Sequence, residues 1–257
     1  MNLLLPGIAP SLASAYLLTF ARVGTLIMLM PGVGEQAVPA RLRLAFALLV
    51  ALVLFPTVRP LLGGTEGIAG PRLIGLLFGE TIVGLVLGLC GRMVLAALQT
   101  AGLIVSQQLG LSYAMTVDPT MGGQQAAIGN FLSLLGITLI LASDLHHLAI
   151  EGIARSYQVL PPDGVPGFSD AVSLALRAIG RGFTLAVQIS GPFIAFGILF
   201  NLGLGVLSRL MPQLQVFFLA VPASILVGML ILVGALGAMM AVFLDDLGRY
   251  LGDLVGR

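Results

Sequence analysis

The chain has no lysine and no tryptophan, one cysteine, two histidines and few charges of either sign. Each shortage excludes something. Charged residues make up 9% of the 257, against about 25% in a soluble domain. So little charge cannot wet a whole surface, and the chain reads as an integral membrane protein. Its net charge of +1 offers no bulk field to nucleic acid or to acidic partners. The lone Cys90 excludes an internal disulfide and most thiolate metal sites. It stands among Gly88, Leu89 and Gly91, where a small packed filler is expected. Ser143-Asp144 and Ser190-Gly191 lack the rest of a nucleophile elbow. Gly203-Leu204-Gly205 follows no strand pattern, and there is no phosphate-binding loop. No enzyme, catalytic residue, cofactor or metal is expected.

What the chain does have is apolar length: 58% hydrophobic residues and 34 glycines, a composition suited to closely packed helices. Six apolar stretches can be drawn, at about residues 11–30, 44–58, 73–105, 126–153, 171–210 and 216–244. The fold expected is all-α and membrane-embedded, in one domain over residues 1–257. Ala13-Ser14-Ala15 resembles a cleavage site, but no basic segment precedes it, so the first stretch is read as a retained helix. The third stretch, as one helix, would be about 50 Å long against a hydrocarbon core of about 30 Å. It must break or project. Gly75, Gly79, Gly84 and Gly88 form a small-residue seam along it. Residues 244–257 pair Asp245 with Arg249 and Asp253 with Arg257 at i, i+4, which predicts an amphipathic C-terminal helix outside the core. Arginine counting leaves orientation open: Arg41, Arg43 and Arg209 oppose Arg59, Arg72, Arg155, Arg249 and Arg257.

Ionisable residues inside apolar runs are candidates for function. Arg22, Glu80 and Arg92 are of this kind, and each should face a cavity, an opposite charge or an interface. Asp144, His147 and Glu151 fall at i, i+3 and i+7, one face of a continuous helix. Their residue types could hold a metal or relay a proton. Without a stronger motif they read first as a hydrogen-bonded helix end or subunit contact. Between the third and fourth stretches, residues 106–125 hold soft apolar side chains, chain breakers and the single charge Asp118. Pro119 drives Asp118 away from helical geometry, and Gly122 and Gly123 free the chain again. A loop that long in a compact membrane protein is more often functional than filler.

Four segments together resemble a known family: PGVGEQAVPARLR (31–43), GLSYAMTVDP (110–119), DLHH (144–147) and SRLMPQLQVFFLAVP (208–222). The chain resembles the export-gate subunits of the FliR/SctT family along essentially its whole length. The resemblance implies long helices in hairpins, forming part of a helical gate assembly through which unfolded flagellar proteins leave the cytoplasm. It implies FliP-type and FliQ-type subunits as neighbours, FlhB and FlhA as further partners, and flagellar export substrates passing through. The implied place is the bacterial inner membrane within the flagellar basal body, in contact with lipid, with parts projecting toward the periplasm. It also implies a channel plug, carried onto Gly110, Tyr113, Met115, Val117, Asp118, Pro119 and Met121. The aromatic at Tyr113 departs mildly from the family pattern, which often has Phe. Arg209, Pro212, Gln213 and Phe217 would shape a turn that packs on neighbouring subunits. Two readings stand against a flagellar gate: an injectisome gate subunit, and an ion-coupled carrier, which would need two matched halves with broken spans. A metalloenzyme on Asp144, His147 and Glu151 ranks below both.

Overall fold

In a computed structural model, residues 5–30, 34, 38–62, 68, 70–111, 122–162, 168–211 and 216–255 are described. Seven α-helices occur among them, and no strand: α1 Leu5–Leu29, α2 Ala40–Val58, α3 Pro71–Gln108, α4 Gly122–Ala142, α5 Leu145–Val159, α6 Phe168–Leu210 and α7 Val216–Val255. A 3-10 turn, Arg59–Leu62, follows α2. Five helices are long and apolar enough to cross a membrane, or six spans if the bent pair α4 and α5 counts as one. The all-α membrane fold is therefore as the sequence implies.

The third apolar stretch does not break. α3 runs 38 residues, about 57 Å at 1.5 Å per residue. α6 and α7 are longer still, at 43 and 40 residues, and each absorbs an internal proline, Pro192 and Pro222. The C-terminal segment is no separate helix either, since α7 continues unbroken to Val255. The fourth stretch does break. Asp144 adopts φ 58, left-handed geometry that Asp tolerates better than most residues, and this separates α4 from α5.

Polar residues survive in these helices because their hydroxyls bond back to their own backbone. Thr19 donates to the Ala15 carbonyl at 3.0 Å, Thr81 to Leu77 at 2.7 Å, Ser106 to Gly102 at 2.8 Å and Ser190 to Ala186 at 2.8 Å. Such bonds satisfy a group that lipid cannot.

The chain forms two compact units. The first comprises residues 1–93, 143–179 and 249–257. Its apolar core joins Val23 and Ile27 of α1, Ala47 and Ala51 of α2, and Ile153 and Tyr157 of α5. Tyr16 and Phe55 meet edge to face at 5.8 Å, while the Tyr16 hydroxyl donates to the Leu48 carbonyl. The second unit comprises residues 94–142 and 180–248. Here α3 crosses α4 backbone to backbone: a Cβ on Gly102 would collide with Gly129 Cα and N and lie 2.9 Å from the Ile128 carbonyl carbon. Arg181 of α6 and Asp246 of α7 form an ion pair at 3.0 Å, with a further bond from Arg181 to the Asp246 carbonyl.

The α3–α4 crossing leads to a prediction. Gly102→Ala must push a backbone away, which costs about 1–3 kcal/mol. Gly75→Ala meets nothing within 4 Å and should be neutral or stabilise by up to about 1 kcal/mol. Thermal unfolding in detergent, followed by circular dichroism, should place Gly102→Ala clearly below wild type and Gly75→Ala at or above it.

Candidate functional site

Arg22 lies in the middle of α1 and is completely buried, as is Glu80 of α3 to within 2%. The two meet as a fork on a fork. Arg22 Nε donates to Glu80 Oε2 at 2.6 Å, and Nη2 donates to Oε1 at 2.8 Å. Charge-assisted bidentate pairs of this kind are short and directional. α3 can come this close because it carries no side chain one turn further on. A Cβ on Gly84 would strike Thr25 Oγ1 and the Arg22 carbonyl, and one on Gly88 would come within 2.8 Å of Leu29 Cβ. So the glycine seam is used as expected at Gly84 and Gly88, while Gly75 faces open space.

The remaining guanidinium donors turn to α5. Nη2 also donates to the Leu160 carbonyl at 2.8 Å, and Nη1 to Ser156 Oγ at 3.3 Å. Leu160 is the C-cap of α5, so the cation sits at the carbonyl-rich, negative end of that helix. The guanidinium carbon stands 3.9 Å from the centre of the Tyr157 ring, within cation–π range. The Tyr157 hydroxyl in turn donates to the Thr19 carbonyl of α1 at 3.3 Å. Four of the five guanidinium donors thus have partners, and three helices are fastened at one point. Beside it lies a cavity of about 400 Å³, bounded by Leu26, Val83, Leu87, Ile153, Ser156 and Leu160 among others, with Arg177 in its wall.

The other sequence candidates fall elsewhere. Arg92 is exposed on α3. Glu151 is also exposed. Asp144 is not itself helical, since it precedes α5 as its left-handed N-cap. Asp144 and His147 still meet, and the residue that joins them is His146 rather than Glu151. Arg209 is exposed in the last turn of α6, where a cation suits the helix dipole. Phe217 lies in the first turn of α7. Tyr113, Met115, Val117, Asp118, Pro119, Met121, Pro212 and Gln213 lie outside the described residues.

Gly110 is described, and its geometry is specific. It takes φ 79. Its N–H donates to the Gln107 carbonyl at 3.1 Å, and the Leu111 N–H reaches back to Ser106 at 3.0 Å. These two bonds around a left-handed glycine make a Schellman stop for α3. The stop is held from outside within the second unit. Ser224 Oγ donates to the Leu109 carbonyl at 2.9 Å, and the Leu109 side chain fills the space where a Cβ on Gly228 would stand.

Removing one partner of a buried ion pair strands the other, at about 3–5 kcal/mol. Arg22→Met alone and Glu80→Leu alone should each sharply lower the unfolding temperature in detergent. The double variant Arg22→Met/Glu80→Leu should recover most of the loss. Additive losses in the double-mutant cycle would show that the two side chains do not act as a pair.

Residues 13–250 match the family described as bacterial export proteins, family 1. The chain is 42% identical over 228 residues to the flagellar biosynthetic protein FliR of Caulobacter vibrioides, covering 89% of this chain and 90% of the relative. It is 34% identical to FliR of Bacillus subtilis, over 89% of this chain and 88% of the relative. The FliR of Escherichia coli is 28% identical, over 90% of this chain and 87% of the relative. With residues 13–250 matched and a relative 42% identical over most of both chains, the chain belongs to the bacterial export protein family 1, the FliR family.

Proposed function

We propose that the chain is a channel-forming subunit of the flagellar type III protein export gate, needed for flagellum assembly. The observation that carries this reading is the family match over residues 13–250, with relatives named as flagellar biosynthetic proteins. The surface supports it. α6 leaves Leu199, Leu202 and Leu210 between 64% and 73% exposed, and α7 leaves Leu226, Leu230 and Val233 between 63% and 76%. Apolar faces that bare need lipid or neighbouring helices to cover them. In this reading FliP-type and FliQ-type subunits supply part of that cover, FlhB and FlhA associate with the gate, and unfolded flagellar proteins pass through. The site of action is the inner membrane within the basal body, with parts projecting toward the periplasm.

The segment that begins at Gly110 is the plug in this proposal, with Tyr113, Met115, Val117, Asp118, Pro119 and Met121 in that role. Methionine adapts its shape cheaply, and an apolar constriction resists ions by dewetting. A seal also needs a firm base, which the Schellman stop and the Ser224 bond supply. Arg209, Pro212, Gln213 and Phe217 shape the turn from α6 to α7 and pack on neighbours. An ion-coupled carrier fits less well, since Glu80 is committed to Arg22 rather than open to an ion.

Two experiments follow. Deleting residues 110–121 should leave FliP- and FliQ-type subunits co-purifying while the cell membrane becomes leaky to ions. Unchanged conductance with normal assembly would remove the plug role. Arg209→Ala should weaken co-purification and motility together. Normal assembly and secretion in that variant would refute the packing role.

A further inference from the structure

The chain contains two histidines, and both stand in the first turn of α5 beside Asp144. One ligand atom from each of Asp144, His146 and His147 can be chosen so that all three lie within 4.8 Å of one another. His147 Nδ1 is 3.5 Å from Asp144 Oδ1, and the two imidazole rings lie 4.1 Å apart, tilted by 37°. We propose that Asp144, His146 and His147 form a binding site for a divalent transition metal of the zinc class.

Three features support a metal over a plain helix end. First, Asp144 is the N-cap of α5, yet its carboxylate makes no capping hydrogen bond. An N-cap aspartate normally accepts from the backbone of the first turn, so this one is left available. Second, His146 Nδ1 is enclosed and has no hydrogen-bond partner among the described residues. Buried ring nitrogens are nearly always paired, and a metal on that nitrogen would supply the missing partner. Third, Asp144 holds φ 58. That strained geometry turns the carboxylate of a residue outside the helix toward side chains two and three positions later. A continuous helix would keep Asp144 and His147 on one face but carry His146, two residues on, round to another side.

The chemistry suits the ion. Imidazole with a carboxylate is a common zinc donor set, with Zn–N and Zn–O bonds of about 2.0–2.2 Å. Ligand atoms in a tetrahedral site then stand about 3.4 Å apart. Small side-chain rotations close the remaining gap, and they are easy because the His147 and Asp144 side chains are 69% and 79% exposed. The same exposure lets the ion enter from solvent. Three protein ligands leave one tetrahedral position for water. The ion would tie the left-handed residue to the helix it precedes, so the start of α5 would open less often with metal bound. The proposal does not rest on the export reading, and its test is independent of secretion.

The test uses the full chain in detergent, purified with a tag free of histidine. Zinc alone is titrated by calorimetry, and the first turn of α5 is followed by hydrogen exchange. Expected are about one equivalent bound, slower exchange at residues 145–149, and an affinity lower by roughly tenfold or more in His147→Ala and in His146→Ala. Asp144→Asn, which also tolerates left-handed geometry, should weaken binding while leaving the helix content unchanged. Copper(II) in place of zinc should show nitrogen couplings by electron paramagnetic resonance, and no other imidazole in the chain can produce them. Zinc binding that persists in the His146→Ala/His147→Ala double variant would overturn the site. So would wild-type protein that binds no zinc, which would leave the cluster as a solvated helix end.

Discussion

An arginine buried completely inside an apolar chain must be neutralised where it stands, and much of the first unit is arranged to do so. Stripping water from the guanidinium and from the carboxylate costs several kcal/mol per ion, and their attraction offsets this only when geometry is good and the leftover donors are bonded. Each local feature around Arg22 meets one of those conditions. Gly84 removes the side chain that would hold α3 away. The end of α5 presents the Leu160 carbonyl and Ser156, and Tyr157 closes one face of the cation. A pair like this adds little net stability over apolar packing. What it supplies is registry: sliding α1 past α3 by one turn would leave a bare charge, and sliding α5 would strip the remaining guanidinium donors of their partners.

The second unit has an ion pair of its own, Arg181 with Asp246, but a partly exposed one, and its closest packing lies elsewhere. Where α3 meets α4, glycine faces glycine and the backbones nearly touch. Helices surrounded by lipid gain nothing from simply hiding leucine, so close contact and internally bonded hydroxyls matter more. The side chains left over point outward. Their number on α6 and α7 fits a chain whose burial is finished by its surroundings.

Much of this was legible in the residues, and the failures have physical causes. The six apolar stretches mark the helices well because a membrane helix must be apolar along its length. Glu80 and Arg22 were recognisable as charges that needed partners. Their pairing was not, because 58 residues separate them and periodicity carries no information at that range. Tyr157 and Ser156 went unremarked because nothing local distinguishes a tyrosine over a cation from one in a core. The face assigned to Asp144, His147 and Glu151 assumed a helix through residue 144. No glycine or proline marks the break there, and a single left-handed aspartate is a weak signal in sequence. The overlong third stretch was correctly seen as abnormal, yet only the structure distinguishes an unbroken helix from a kinked one.

The Schellman stop at Gly110 also sets a limit of a different kind. α3 ends at a bonded glycine and α4 resumes at Gly122, so the sequence allows ten residues, 112–121, to connect them. Ten residues fully extended span about 33–36 Å, so a segment that leaves and returns can carry its midpoint no more than roughly 18 Å from its moorings. Chain length alone therefore bounds the reach of any role given to this connection, and adding a few residues to it would raise that bound without altering the bonds at Gly110 and Ser224.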